Sequence, residues 1–157
     1  MAIARSRGAD EPPEYAWAHE LARRIERIRA TQDLCLCHND LLNANFIDDG
    51  ERIRIVDWEY AGLGDRFFDL ANFAINHELD RGEREALLRA YSGELRDEDA
   101  RALELMRFMS DFREAMWGVV QQGVSALDFD FVGYAEEHFE RLRRTAAEPR
   151  FREALQG

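Results

Sequence analysis

Lysine is absent from the 157 residues, and all 21 basic positions are arginine. The ammonium group that grips nucleotide phosphates in P-loop proteins and kinases therefore has no source in this stretch. Cysteine is almost as scarce, with Cys35 and Cys37 one residue apart. In an extended segment these two side chains share a face, a poor geometry for a disulfide; a closed metal site would need further Cys or His at ligand spacing and only His38 is adjacent, so they read as buried thiols. Three prolines and ten glycines form no low-complexity tract. No apolar run approaches the roughly 18 residues that span a bilayer, which excludes a membrane helix. No secretory leader pattern opens the chain, and a cytoplasmic location is the expectation. Excess positive charge is missing too: the formal net charge of −11 argues against nucleic acid as a partner, because phosphate neutralisation needs clustered basic residues.

What is present suits one domain with one core, the chain being 46% hydrophobic with regular polar interruption. Residues 1–14 lack apolar periodicity and read as an irregular lead-in. Trp17, Leu21, Ile25 and Ile28 then recur at helical spacing within residues 15–29. A short strand is expected at 34–38, a loop at 39–45, and a hairpin formed by 46–47 and 52–56 around the turn Asp48-Asp49-Gly50-Glu51. After a glycine-containing connection at 61–64 the pattern is helical over 67–79, 83–91, 97–124 and 131–144. In the longest helix Leu105, Met109, Phe112, Met116 and Val119 mark the buried side. The expected fold class is α+β, mainly α-helical, with a small β-hairpin platform.

The polar residues of interest fall on the loops around that platform. The stretch CHNDLLNANFIDDGERIRIVDWE holds His38, Asp40 and Asn45 in an H-x-D-x4-N arrangement, and Asp57 ends the next strand. Phosphoryl transfer needs a carboxylate beside the attacking oxygen and oxygen ligands for magnesium, and this order matches the catalytic-loop layout of kinases. Asp40 would orient or deprotonate the acceptor hydroxyl, while Asn45 and Asp57 would hold Mg2+. Glu59, two residues on and on the same side if the segment is extended, would support a second ion. Taken one at a time, Asp40 and Asn45 also read as turn formers and Asp57 as a strand-end cap.

HNDLLNAN, IRIVDWEYAG and GDRFFDLANF together resemble the choline/ethanolamine kinase family, within the aminoglycoside-phosphotransferase and protein-kinase-like superfamily. The resemblance runs from about Leu34 to Arg144 and implies the C-lobe of the kinase-like fold over residues 15–157, with the N-lobe and its lysine absent. It assigns the catalytic loop to 38–45, the metal-binding strand end to 57–59 and the acceptor-pocket helices to 97–144. His38 and Asn39 would support the loop, and Asp69 resembles the family's structural aspartate that braces it. By position Trp117, Phe129 and Tyr134 match aromatics that surround a cationic head group, an attraction between cation and ring face; on the residues alone they read as core packing. The pattern departs at Glu114, where a second Trp is expected, and at Asn76, where an acidic residue is expected, with Glu78 two positions along.

The resemblance thus implies ATP as co-substrate, Mg2+ as cofactor and a small cationic alcohol such as choline or ethanolamine as acceptor, with weak ATP binding without an N-lobe. Partners would be that missing lobe or a second copy. Alternatives are an aminoglycoside or thiamine phosphotransferase-like lobe, and a non-catalytic ligand- or protein-binding module derived from one.

Overall fold

The computed structural model describes residues 1–156. In chain order the first elements are helices α1 (Ala2–Ser6) and α2 (Tyr15–Arg29) and strands β1 (Cys35–Cys37), β2 (Phe46–Asp48), β3 (Ile53–Ile55) and β4 (Gly62–Gly64). Helices α3 (Arg66–Asn76), α4 (Arg81–Ser92), α5 (Asp97–Val124), α6 (Phe131–Ala147) and α7 (Pro149–Ala154) complete the chain. These form two compact units, one of Met1–Ile28 with Phe108 onward, the other of Arg29–Arg107. This is the mainly helical α+β arrangement expected. No helix among the described residues is long and apolar enough to cross a membrane.

The Arg29–Arg107 unit contains all the strands. β2 and β3 pair antiparallel with Phe46 opposite Ile55, the hairpin read from the turn residues. The turn closes because the Asp49 carboxylate accepts hydrogen bonds from the backbone N–H groups of Glu51 and Arg52. The connection expected at 61–64 is instead strand β4, which pairs antiparallel with β1, Leu36 opposite Leu63. Gly-Leu-Gly has little strand propensity, so the pairing has no local pattern. A Cβ at Gly64 would stand 3.4 Å from Cys37 Sγ and 3.5 Å from Asn39 Oδ1, ordinary contact distances, so the strand owes its place to the pairing and not to crowding at the glycine.

Helix α3 is seated by its first turn. Asp65 caps it by accepting from Phe67 N–H at 2.9 Å, and receives Arg29 Nε at 2.8 Å on its other oxygen. The Arg29 guanidinium also lies over the Phe67 ring, 5.2 Å from its centre. α4 starts at Arg81, two residues before the expected boundary, because Asp80 and Glu83 form a reciprocal capping box.

In the other unit, the buried seam of α2 is Ala18, Ala22 and Ile25. The expected stripe is rotated: Trp17 and Ile28 are 39% and 37% exposed, since the small alanines allow the closer approach. α5, whose residues are shared between the two units, departs similarly. Residues 102–106 are all buried, so the helix has no single apolar side there, and Phe108, outside the expected stripe, is fully buried. Phe108 stacks on Phe151 of α7 at 5.3 Å and meets Trp17 edge-on at 5.8 Å. α7 lies beyond the last expected helix and opens with Pro149 in its first turn. The lead-in is not irregular throughout: Ala2–Ser6 is helical with Ala4 buried. Tertiary packing orders it, and a Cβ at Gly123 would stand only 2.7 Å from Arg7 Cβ.

Candidate active site

The loop after β1 is held by backbone hydrogen bonds to carboxylate and amide side chains of one helix. The two oxygens of Asp69, in the first turn of α3, accept from His38 N–H at 2.7 Å and Asn39 N–H at 2.8 Å. One turn further, the fully buried Asn72 accepts from Leu41 N–H at 2.5 Å, and Asn76 Nδ2 donates to Leu41 O at 3.4 Å. Residues 69, 72 and 76 follow helical spacing, so one face of α3 templates the loop. Asn72 is an addition to the expected residues, and its i+3 spacing from Asp69 in FDLAN is the signal that points to it.

His38 is buried and joins the loop to β3. Its Nε2 donates to Val56 O at 2.8 Å, and its Nδ1 accepts from Asp40 N–H at 3.2 Å. A carbonyl can only accept and an N–H can only donate, so the ring is neutral with its proton on Nε2. The Trp58 ring packs edge-on against it at 4.6 Å. Val56 is tied a second time, its N–H donating to Asn45 O at 3.0 Å. Both backbone groups of the residue before Asp57 are thereby fixed to the loop that carries Asp40 and Asn45.

Asn45 Nδ2 donates to Asp40 O at 2.8 Å and to Asp40 Oδ2 at 3.3 Å. With its amide nitrogen so used, Asn45 Oδ1 accepts no hydrogen bond among the described residues, and neither does the Asp57 carboxylate. Asn39 and Asp57 both adopt left-handed backbone, φ 65° and 64°. Asn and Asp tolerate that region better than other non-glycine residues, and such conformations collect at functional loops. Asn39 is further held through Nδ2 to Tyr60 O at 3.0 Å.

Glu59 departs from its expected placement. The segment after Val56 is not extended, since Asp57 is left-handed and a turn follows with Ala61 N–H bonded to Trp58 O. The alternation that would put Glu59 on the side of Asp57 does not apply, and Glu59 sits exposed in the turn. Glu78 is also exposed, past the end of α3, with φ 54°.

The expected aromatics gather in the other unit. Trp117 lies 5.5 Å from Tyr134 and 5.7 Å from Phe131, and Phe129 lies 4.9 Å from Phe131 and 6.0 Å from Tyr134, all ring centre to ring centre. Phe131 completes the group, a fourth ring beside the three expected. Tyr134 OH donates to Glu114 Oε2 at 2.8 Å, and Arg113 holds Glu114 Oε1 at 2.6 Å. Burial, and then the Glu114 charge, push the Tyr134 phenol well above its ordinary value, so it remains a donor at neutral pH. The helices cross tightly beside it: a Cβ at Gly118 would stand 3.0 Å from Tyr134 Cδ1.

Strand, braced loop, returning hairpin and supporting helices define the C-lobe of the protein-kinase-like fold. The chain belongs to the phosphotransferase enzyme family, whose model matches residues 2–105. Ethanolamine kinase 2 of Rattus norvegicus is 31% identical over 87% of this chain and 41% of its own length. The Homo sapiens protein of that name is 32% identical over 80% of this chain and 37% of its own. The crystal structure of a choline/ethanolamine kinase family protein from Mesorhizobium loti superposes with a TM-score of 0.86 at 29% identity, over 99% of this chain and 55% of that one. A choline kinase from Streptococcus pneumoniae shares the fold with a TM-score of 0.71 at 22% identity. The chain spans about 40% of the length of these ethanolamine kinases.

Proposed function

We propose that this chain is the acceptor-side lobe of an ATP- and Mg2+-dependent kinase that phosphorylates the hydroxyl of a small cationic alcohol of the choline or ethanolamine kind. The observation carrying this reading is the clamp around Asp40: its carboxylate and carbonyl hold the Asn45 amide, while Val56, next to Asp57, is bonded to both Asn45 and His38. Asp40 accepts the acceptor hydroxyl's hydrogen and aims its oxygen at the γ-phosphorus, a contribution of about 10²–10⁴ in rate. His38, in its fixed tautomer, positions Asp40 through the backbone.

The donor set fits magnesium. One amide oxygen and one carboxylate are hard ligands, and both are free of protein hydrogen bonds among the described residues. Those residues form no cluster of three His, Cys, Asp or Glu suited to a metal. In the proposed site Asn45 and Asp57 hold the ion and leave most positions to phosphate and water. The ion supplies charge neutralisation at the transferring phosphoryl group. The Trp117, Phe129 and Tyr134 rings, with Phe131, are proposed to receive the cationic head. Asn76 is assigned to bracing the loop, and Glu78 to acceptor approach.

Because the chain contains no lysine, its phosphate grip is proposed to come from a lysine-bearing partner lobe, in the cytoplasm. The expected outcome is very slow turnover of choline or ethanolamine by the chain alone, rising when a lysine-bearing lobe is added, with Asp40→Asn abolishing the gain. Calorimetry with choline, ethanolamine, thiamine and an aminoglycoside, with and without Mg2+ and ATP, identifies the acceptor. Acceptor binding that ignores both nucleotide and Asp40→Asn, with no transfer in any mixture, would make the chain a binding module instead.

A further inference from the structure

We propose that the Cys35 and Cys37 thiols form a bidentate capture site for a soft, thiophilic metal ion, immediately ahead of the His38 loop. The two side chains share one face of β1, and their sulfur atoms lie 3.8 Å apart. Two metal–sulfur bonds of about 2.3 Å meeting at a tetrahedral angle span about 3.8 Å, so the thiols already stand at the bite of such an ion. The strand is fixed at that spacing by its pairing with β4, Cys35 opposite Gly64 and Cys37 opposite Gly62. Cys37 is buried, and the partly exposed Cys35 provides the entry.

The surroundings favour a cation. Burial first, then the nearby Asp69, Cys35 and Asp65, push the Cys37 thiol up to about 12. The same negative field that opposes a bare thiolate stabilises a thiolate bound to a dication. Asp69 and Asp65 contribute field rather than ligands, since Asp69 is engaged by His38 and Asn39 N–H and Asp65 by Arg29 and Phe67 N–H. The His38 ring is committed to Val56 O and Asp40 N–H. No third His, Cys, Asp or Glu completes a metal cluster among the described residues, so the remaining positions fall to water or small ligands. Two sulfurs and an open shell select soft ions over Mg2+. Binding exchanges two S–H bonds for two metal–sulfur bonds and releases two protons to solvent, so the apparent affinity rises with pH.

The test is a titration of the reduced, metal-free chain with Cd2+, near pH 7 and one unit higher, following the ultraviolet thiolate-to-metal charge-transfer band. The expected result is one Cd2+ per chain, tighter at the higher pH, undisturbed by excess Mg2+. Cys35→Ser weakens it by roughly 100-fold through loss of chelation. Because Cys37 is buried, Cys35→Ser is the deciding variant, with circular dichroism confirming that it is folded. A missing charge-transfer band, two Cd2+ per chain, or wild-type affinity in Cys35→Ser would overturn the proposal.

Discussion

Asp69 does more for the loop than any other single side chain, because one carboxylate satisfies two consecutive backbone N–H groups. Replacing it by Ala leaves both donors without their acceptor, and hydrogen bonds to charged groups are worth about 1.5–3 kcal/mol each. Asp69→Ala is therefore expected to destabilise the Arg29–Arg107 unit by about 2–4 kcal/mol in urea unfolding. Asp69→Asn, which keeps one acceptor oxygen, should lose about half as much. Equal losses in the two variants would show that the pair of hydrogen bonds is not what holds the loop. Residue-level chemistry also separates the two thiols. Cys37 is buried with its thiol pushed up to about 12, whereas Cys35 is partly exposed. Iodoacetamide at mildly alkaline pH should label Cys35 in the folded chain and reach Cys37 only after unfolding, as peptide mass mapping would report.

Among the elements, the β2–β3 hairpin carries a built-in pH dependence. Backbone N–H groups of Arg52 and Glu51, followed by the Arg54 side chain, hold the Asp49 carboxyl below its ordinary value. A depressed folded value means that the contribution is present above the unfolded aspartate value, near 3.9, and is lost as pH falls through the folded one. The Glu51 and Arg52 amides should lose protection against exchange as pH falls through that depressed value. Asp49→Asn should remove that acid-dependent step, and an unchanged exchange profile in the variant would place its origin elsewhere. Helix α4 offers a second element-scale test: Asp80→Ala removes the capping box and should cost about 1 kcal/mol in thermal unfolding.

These elements also separate what is legible in the sequence from what is not. The hairpin, α2 and α5 are legible because turn chemistry and apolar periodicity are local. The loop between β1 and β2 is legible because its Asn and Asp residues follow a short apolar run. β4 is not, because Gly62-Leu63-Gly64 becomes a strand only through β1, a partner some 25 residues away that local propensity ignores. The extended reading of Asp57 to Glu59 fails for a related reason. The φ of 64° at Asp57 belongs to a position whose predecessor is bonded on both sides to the loop, a tertiary constraint with no local signature.

At the scale of the whole molecule the charge and the apolar surface oppose one another. On β1 the thiols face inward and Leu36 outward, 69% exposed, and its cross-strand neighbour Leu63 is 75% exposed. Leu34, Ile47, Ile53 and Ile55 in the same unit are exposed as well. Covering a side chain of this size is worth about 1.5–3 kcal/mol, which drives association wherever a second surface is available. The net charge of −11 repels a second copy, but over a range that salt shortens to about 10 Å at 0.1 M. Self-association should accordingly strengthen with ionic strength, opposite to the behaviour of an ion-paired interface. Sedimentation velocity across a concentration series at low and high salt measures this. The double variant Leu36→Glu with Leu63→Arg replaces the apolar pair with an opposite-charge pair at the same cross-strand position, so the sheet is retained while its outward face becomes polar. It should stay monomeric at both salt levels, with a Tm within a few degrees of the parent because neither leucine contributes to the core. If the variant associates as the parent does, the strands' outward face is not the surface that drives association.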